Sequence, residues 1–227
     1  EAGDGHDAED HNLGIGSGAL GGSINGAEYN VGIGNYALQA LTSGDFNTTL
    51  GYHSGTNLST GQQNVFVGYQ AGKEATTSDG CTVLGRYAGG AGATMTGNLN
   101  VFLGNSAGAV ATSAYENVAV GSDSLSSLTT GALNVAVGHE AGLSLTEGCC
   151  NVFLGYEAGA AMTTAGDQIA IGFQALETSD TENNNTAIGK NTLRLANSGG
   201  EANVGVGNNT LDALTSGDQN TVLGYNA

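Results

Sequence analysis

Apolar residues in this chain come in short triplets, each opened by an asparagine and closed by a glycine, and the triplets recur with one period. Asn117–Leu133 reads NVAVGSDSLSSLTTGAL, and the seventeen residues after it read NVAVGHEAGLSLTEGCC. The closing glycine of this N-x-x-φ-G motif stands at Gly16, Gly34, Gly51, Gly68, Gly85, Gly104, Gly121, Gly138, Gly155, Gly172, Gly189, Gly207 and Gly224, at spacings of 18, 17, 17, 17, 19, 17, 17, 17, 17, 17, 18 and 17. So regular a period predicts a solenoid in which one repeat is one turn. Counting from the asparagine, position 2 is Leu, Val, Ile or Thr and position 4 is always Ile, Leu or Val. Positions 2–4 therefore predict a short strand in every turn. Glycine at position 5 marks a sharp bend with φ > 0. Position 8 is Ala, Ser or Thr, small enough for an opposing wall to come close. Leu38, Leu125, Leu176, Leu193 and Leu211 at position 9, with Leu41, Leu128, Leu145 and Leu214 at position 12, supply interior bulk, and T-x-G at positions 13–15 turns the chain back. A helix is excluded, because no stretch keeps a 3.6-residue period and glycine recurs too often.

The prediction is an all-β parallel β-solenoid of about 13 turns of 17–19 residues over 12–227, behind an acidic arm over 1–11. The turns run from Asn12–Tyr29 to Asn203–Gln219, and Asn220–Ala227 is a partial turn. Insertions in the turns that begin at Asn12, Cys81 and Asn185 fall after the anchor glycine, where loops tolerate them. Position 1 is asparagine except at Cys81 and Gln168. Asparagines stacked one turn apart predict a hydrogen-bonded ladder, represented by Asn100, Asn117, Asn134 and Asn151.

Position 3 alternates with positions 2 and 4, so it must face the other way. It reads Gly14, Gly32, Thr49, Phe66, Val83, Phe102, Ala119, Ala136, Phe153, Ala170, Ala187, Gly205 and Val222, with no charge anywhere. A strand apolar on both faces is buried on both faces. With positions 2 and 4 given to the interior, position 3 is expected to meet a neighbouring chain. Phe66, Phe102 and Phe153 are then the inter-chain interface of a laterally self-associating homo-oligomer.

Charge changes the picture by exclusion. The chain has 21 acidic residues against Lys73, Arg86, Lys190 and Arg194, a net charge of −17 that repels nucleic acid. No apolar run approaches the roughly 20 residues of a membrane helix, so no membrane insertion is expected. The chain starts at Glu1 without an initiator Met, which reads as a processed product or an excised segment. Cys81 stands alone while Cys149 and Cys150 are vicinal, an odd number that gives no disulfide framework. In the arm, His6 and His11 lie among Asp4, Asp7, Glu9 and Asp10; imidazole and carboxylate suit a divalent cation, but the spacing fits no defined site and a solvated acidic arm is the plainer reading.

The motif N-x-A-[IV]-G-x-x-[AST], as in Asn117–Ser124 and Asn185–Thr192, resembles the head repeats of trimeric autotransporter adhesins. Its longer form, with A-L-x-x-L-T-x-G following, resembles repeats of phage and bacterial tail-fibre-like proteins. The resemblance covers residues 12–227. It implies a left-handed parallel β-roll in each chain, three rolls about a common axis, and an extracellular or virion-surface location. The turn here is longer than in the adhesin heads, and these residues hold no coiled-coil stalk, membrane anchor or chaperone domain.

Candidate chemistry is sparse. Gly-x-Gly pairs such as Gly14/Gly16, Gly32/Gly34 and Gly205/Gly207 belong to the repeat and open no helix, so they are not a nucleotide loop. His53 and His139 sit at turns without a nucleophile pattern. Asp123, Glu140 and Glu157 share position 7, where adjacent turns should bring them about 4.8 Å apart. Like charges so close call for protons or a cation, and Ca²⁺ is the candidate ion, with three carboxylates splayed into water as the alternative. A glycosidase would need a carbohydrate cleft that nothing indicates. Tyr52, Tyr69, Tyr156 and Tyr225 at position 6 make an aromatic ladder that could bind a glycan. Thr48, Thr82, Thr186 and Thr221 are too scattered for an ice-binding array. Glu1–His11 and Asn220–Ala227 together match one turn in length, so end-to-end joining of subunits is also expected. The expectation is a structural or adhesive fibre subunit, not an enzyme, with a glycan- or receptor-binding fibre module as the alternative.

Overall fold

The computed structural model describes residues 11–90, 92–195 and 200–227. The acidic arm, apart from His11, and with it the end-to-end joint, lies outside the described residues. So does part of the insertion in each of the turns that begin at Cys81 and Asn185. The protein is an all-β solenoid, with thirteen parallel strands among the described residues, every one at positions 2–4 of its repeat. The chain divides into two units, Glu1–Glu116 and Asn117–Ala227. The first carries β1 (Leu13–Ile15), β2 (Val31–Ile33), β3 (Thr48–Leu50), β4 (Val65–Val67), β5 (Thr82–Leu84) and β6 (Val101–Leu103). The second carries β7 (Val118–Val120), β8 (Val135–Val137), β9 (Val152–Leu154), β10 (Ile169–Ile171), β11 (Thr186–Ile188), β12 (Val204–Val206) and β13 (Thr221–Leu223). Within each unit, strands consecutive in sequence pair in parallel and in register. Val31 lies opposite Thr48 and Thr48 opposite Val65; Val118 lies opposite Val135 and Val135 opposite Val152.

Three strand residues cannot close a seventeen-residue circuit, and two successive tight turns do the rest. The position 8 amide returns to the position 5 carbonyl (Ala37 to Gly34, 3.2 Å), and position 12 to position 9 (Leu41 to Leu38, 3.2 Å). Positions 7, 9 and 17 adopt left-handed backbone whatever residue they carry: Tyr36 (φ 63°), Leu38 (50°) and Phe46 (59°) in one unit, Glu140 (57°), Leu125 (47°) and Cys150 (63°) in the other. These flips aim their amides along the solenoid axis. Tyr36 donates to the Ser17 carbonyl at 2.9 Å, Leu38 to Ser54 at 3.1 Å and Phe46 to Glu28 at 3.1 Å. Glycine at position 5 is needed twice over. Its φ runs from 126° to 155°, which a side chain resists, and a Cβ there would overlap the same glycine's carbonyl in the next turn.

The faces of the strand are the reverse of the sequence expectation. Position 3 points into the coil: Phe66, Phe102 and Phe153 are fully buried inside their own chain and are not an inter-chain interface. Positions 2 and 4 face outward; Ile15 is 52% exposed, Leu84 48% and Val65 40%. The physical reason is a size exchange across the interior between positions 3 and 9. Where position 3 is Phe, position 9 is Gly72, Gly108 or Gly159, and a Cβ on these glycines would lie within 2.6–2.7 Å of the Phe66, Phe102 or Phe153 ring. Where position 3 is Gly14, Gly32, Ala119, Ala170, Ala187 or Gly205, position 9 is leucine. One turn is small at both, Ala136 with Gly142, and there Leu125 and Phe153 reach in from either side, 2.7 and 2.8 Å from where a Gly142 Cβ would stand. Such volume matching is what native packing density demands of a closed interior.

Candidate functional site: the outer sheet face

Two columns of aliphatic side chains, from positions 2 and 4, run along the outside of each unit's sheet. Every residue in them is Val, Ile, Leu or Thr, and each is exposed or half-buried. None of the described carboxylates lies at positions 2, 4 or 6. They stand at the corners and on the opposite wall, two of them (Glu116 and Asp167) at position 17, so a chain of net charge −17 keeps its two outward strand columns free of charge. The rims of that face are mixed, with exposed aromatic and apolar residues among polar ones and the charged Arg86, Lys190, Glu116 and Asp167. Tyr29, Phe46, Leu99 and Leu133 flank it at position 17, and Tyr52, Tyr69, Tyr156 and Phe173 at position 6, all exposed. Soluble monomers rarely leave so continuous an apolar surface in water.

Behind the face stands the asparagine ladder, fully buried. Asn134 donates through Nδ2 to Asn117 Oδ1 (3.0 Å) and to the Gly148 carbonyl (2.9 Å). Its Oδ1 accepts from the Asn151 backbone (3.1 Å) and the Asn151 Nδ2 (2.9 Å). All four hydrogen-bonding sites of the side chain are used, and the same pattern links Asn30, Asn47 and Asn64. Gln168 relays it with a longer arm, accepting from the Asn185 amide at 3.1 Å. At Cys81 a buried sulfur takes the acceptor's place. Burial pushes that thiol's pKa up, while donation from the backbone and side chain of Asn100 works against the rise.

The position 7 carboxylates do not come together. Each side chain takes its own partner: Asp123 accepts from Ser122 Oγ (2.8 Å), Glu140 lies 3.7 Å from His139 Nδ1, and Glu157 accepts from Gln174 Nε2 (2.6 Å), the neutral position 7 side chain of the next turn. Among the described residues no three His, Cys, Asp or Glu side chains are placed to hold a metal ion. The calcium expectation for Asp123, Glu140 and Glu157 is therefore corrected. Millimolar Ca²⁺ should leave the unfolding temperature unchanged; a rise abolished by Glu140→Gln would reinstate the site.

Tyr52, Tyr69 and Tyr156 form stacks along the axis rather than an open ladder, and Tyr225 stands exposed at 72%. Tyr156 lies face to face with His139 (5.4 Å, 8°) and with Phe173 (5.2 Å, 8°), and Tyr52 with Tyr69 (5.6 Å, 15°). A sugar ring stacks on an aromatic face, and these faces cover one another. His53 is half-buried, stacked on Tyr36 at 4.7 Å and bonded through Nδ1 to Thr56 Oγ1 (3.0 Å); burial, then the charge of Lys73, lowers its pKa. Cys149 and Cys150 are exposed thiols, and hydrogen bonding between them raises the pKa of Cys150.

The size exchange across the interior was the signal, present in the sequence, that places position 3 inside and so reveals the outer face. The separate partners of the three carboxylates left no such trace. Comparison with protein-family models, with curated proteins and with solved structures returns no match.

Proposed function

We propose that the chain is a structural, self-associating element of an extracellular fibre, whose copies pack laterally through the outer faces of their sheets. The observation that carries this reading is the neutral, two-column aliphatic face, flanked by exposed aromatic residues on a chain of net charge −17. A second copy suits it better than any other partner. The face repeats at one rung spacing, so an identical face meets it with matching bumps and hollows along the whole contact. Three copies about one axis are the proposed assembly, supported by the motif's resemblance to adhesin-head repeats. Adhesion to a glycan is the weaker reading, because the tyrosine faces are already occupied.

Light scattering on the native chain should give three chain masses. The double substitution Leu84→Asp with Val137→Asp sets one carboxylate in each unit's outer face, and it should yield folded monomers. Phe102→Asp should unfold the chain instead, because it places an unpaired charge in the interior. A native chain that is monomeric at micromolar concentration would end this reading.

A further inference from the structure

One cluster on the first unit, at the rim of the outer face, brings several phenols together. Tyr36, Tyr52, Tyr69 and Tyr87, four of the chain's eight tyrosines, touch in series across consecutive turns. Tyr36 meets Tyr52 edge to face at 6.1 Å, and Tyr69 meets Tyr87 in the same way at 5.4 Å. Between them Tyr52 and Tyr69 lie nearly parallel, centroids 5.6 Å apart and planes 15° off, 43% and 42% exposed. The Tyr69 hydroxyl accepts from Gln70 Nε2 at 3.4 Å. The other stacked tyrosines lack a second phenol: Tyr29 lies between His11 and Phe46, and Tyr156 between His139 and Phe173.

We infer that Tyr52 and Tyr69 form an oxidative cross-linking site, joined by a carbon–carbon bond between their rings when the protein meets peroxide and a one-electron oxidant of the haem peroxidase class. Each phenol gives up one electron to the oxidant and its hydroxyl proton to water, leaving two phenoxyl radicals. The unpaired electrons reside partly on the ring carbons beside the oxygens. Two of these carbons, one from each ring, pair their electrons into the new bond, and the two hydrogens on them pass to the oxygens as both rings regain aromaticity. Overall two phenols and one hydrogen peroxide give one dityrosine and two waters. Stacking on adjacent turns keeps the two rings side by side, and the bond forms as they turn out of the stack, because an inter-ring bond lies in the plane of each ring. The product ties two consecutive turns of the solenoid covalently. This inference does not depend on lateral assembly, since it uses position 6 and 7 side chains of a single chain.

The test oxidises the dilute native chain with hydrogen peroxide and a haem peroxidase, reading dityrosine fluorescence, intact mass and pepsin-digest peptides. The expected product has lost two hydrogens without any gain of dimer mass, and its cross-linked peptides join Tyr52 to Tyr69. Tyr52→Phe and Tyr69→Phe should each remove that link and most of the fluorescence, while Tyr156→Phe should keep both. The urea-unfolded chain, oxidised in parallel, should give no preferred pair. The inference is overturned if the native chain forms only links between molecules, or if its links are distributed as in the unfolded chain.

Discussion

Phe102→Ala should lower stability by about 3–5 kcal/mol, as expected for emptying a buried aromatic site, and Gly108→Leu in the same chain should restore most of that loss. Phe102 is fully buried, and a Cβ on Gly108 would come within 2.7 Å of its ring. Gly108→Leu alone is therefore also destabilising, by roughly 1–3 kcal/mol of overpacking. Together the two substitutions convert this turn to the other packing type, the one with Ala119 opposite Leu125. The backbone is ready for it: Gly108 has φ 58°, and leucines at the same position elsewhere hold φ between 47° and 53°. Denaturant midpoints of the two single variants and the double variant give the coupling directly. Additive losses would show that positions 3 and 9 do not share one volume.

Asn134→Ala should be nearly as damaging, by about 3–5 kcal/mol, because it strands buried partners rather than merely deleting bonds. The Gly148 carbonyl loses its donor from the Asn134 side chain, and the Asn151 amide loses its acceptor. Asn134→Gln should cost much less, since Gln168 already carries the relay in another turn. Hydrogen exchange supplies a second measure: the Asn151 amide should lose protection in Asn134→Ala and keep it in Asn134→Gln. Equal losses from Ala and Gln would mean that the ladder contributes through packing alone.

Most of the fold is legible in the sequence. The period, the strand at positions 2–4 and the glycine bend follow from residues whose preferences match their places. What misled was parity. Alternation says only that position 3 opposes positions 2 and 4, and both sets are apolar. The pairings of Phe66 with Gly72 and of Ala119 with Leu125 decide which set is inside, and they are visible only when two columns are compared turn by turn. The carboxylate column failed for a different reason. Asp123, Glu140 and Glu157 share one left-handed backbone conformation in register, but their side chains take separate neutral or histidine partners. Residues such as Glu, Tyr and Leu avoid that conformation locally, so no local preference announces it.

The same left-handed positions bear on how the molecule folds. Each turn holds residues 7, 9 and 17 in a conformation that costs an ordinary side chain roughly 1–2 kcal/mol apiece. The amides that those flips expose find their acceptors in other turns, as Tyr36 does in Ser17 on one side and Leu38 does in Ser54 on the other. A solitary turn thus carries the strain and gains nothing from it. The first few turns must dock together before any of them is stable, and after that each added turn meets a finished template. Folding within a unit should be a nucleation of a few turns followed by growth, each new turn adding to a finished edge.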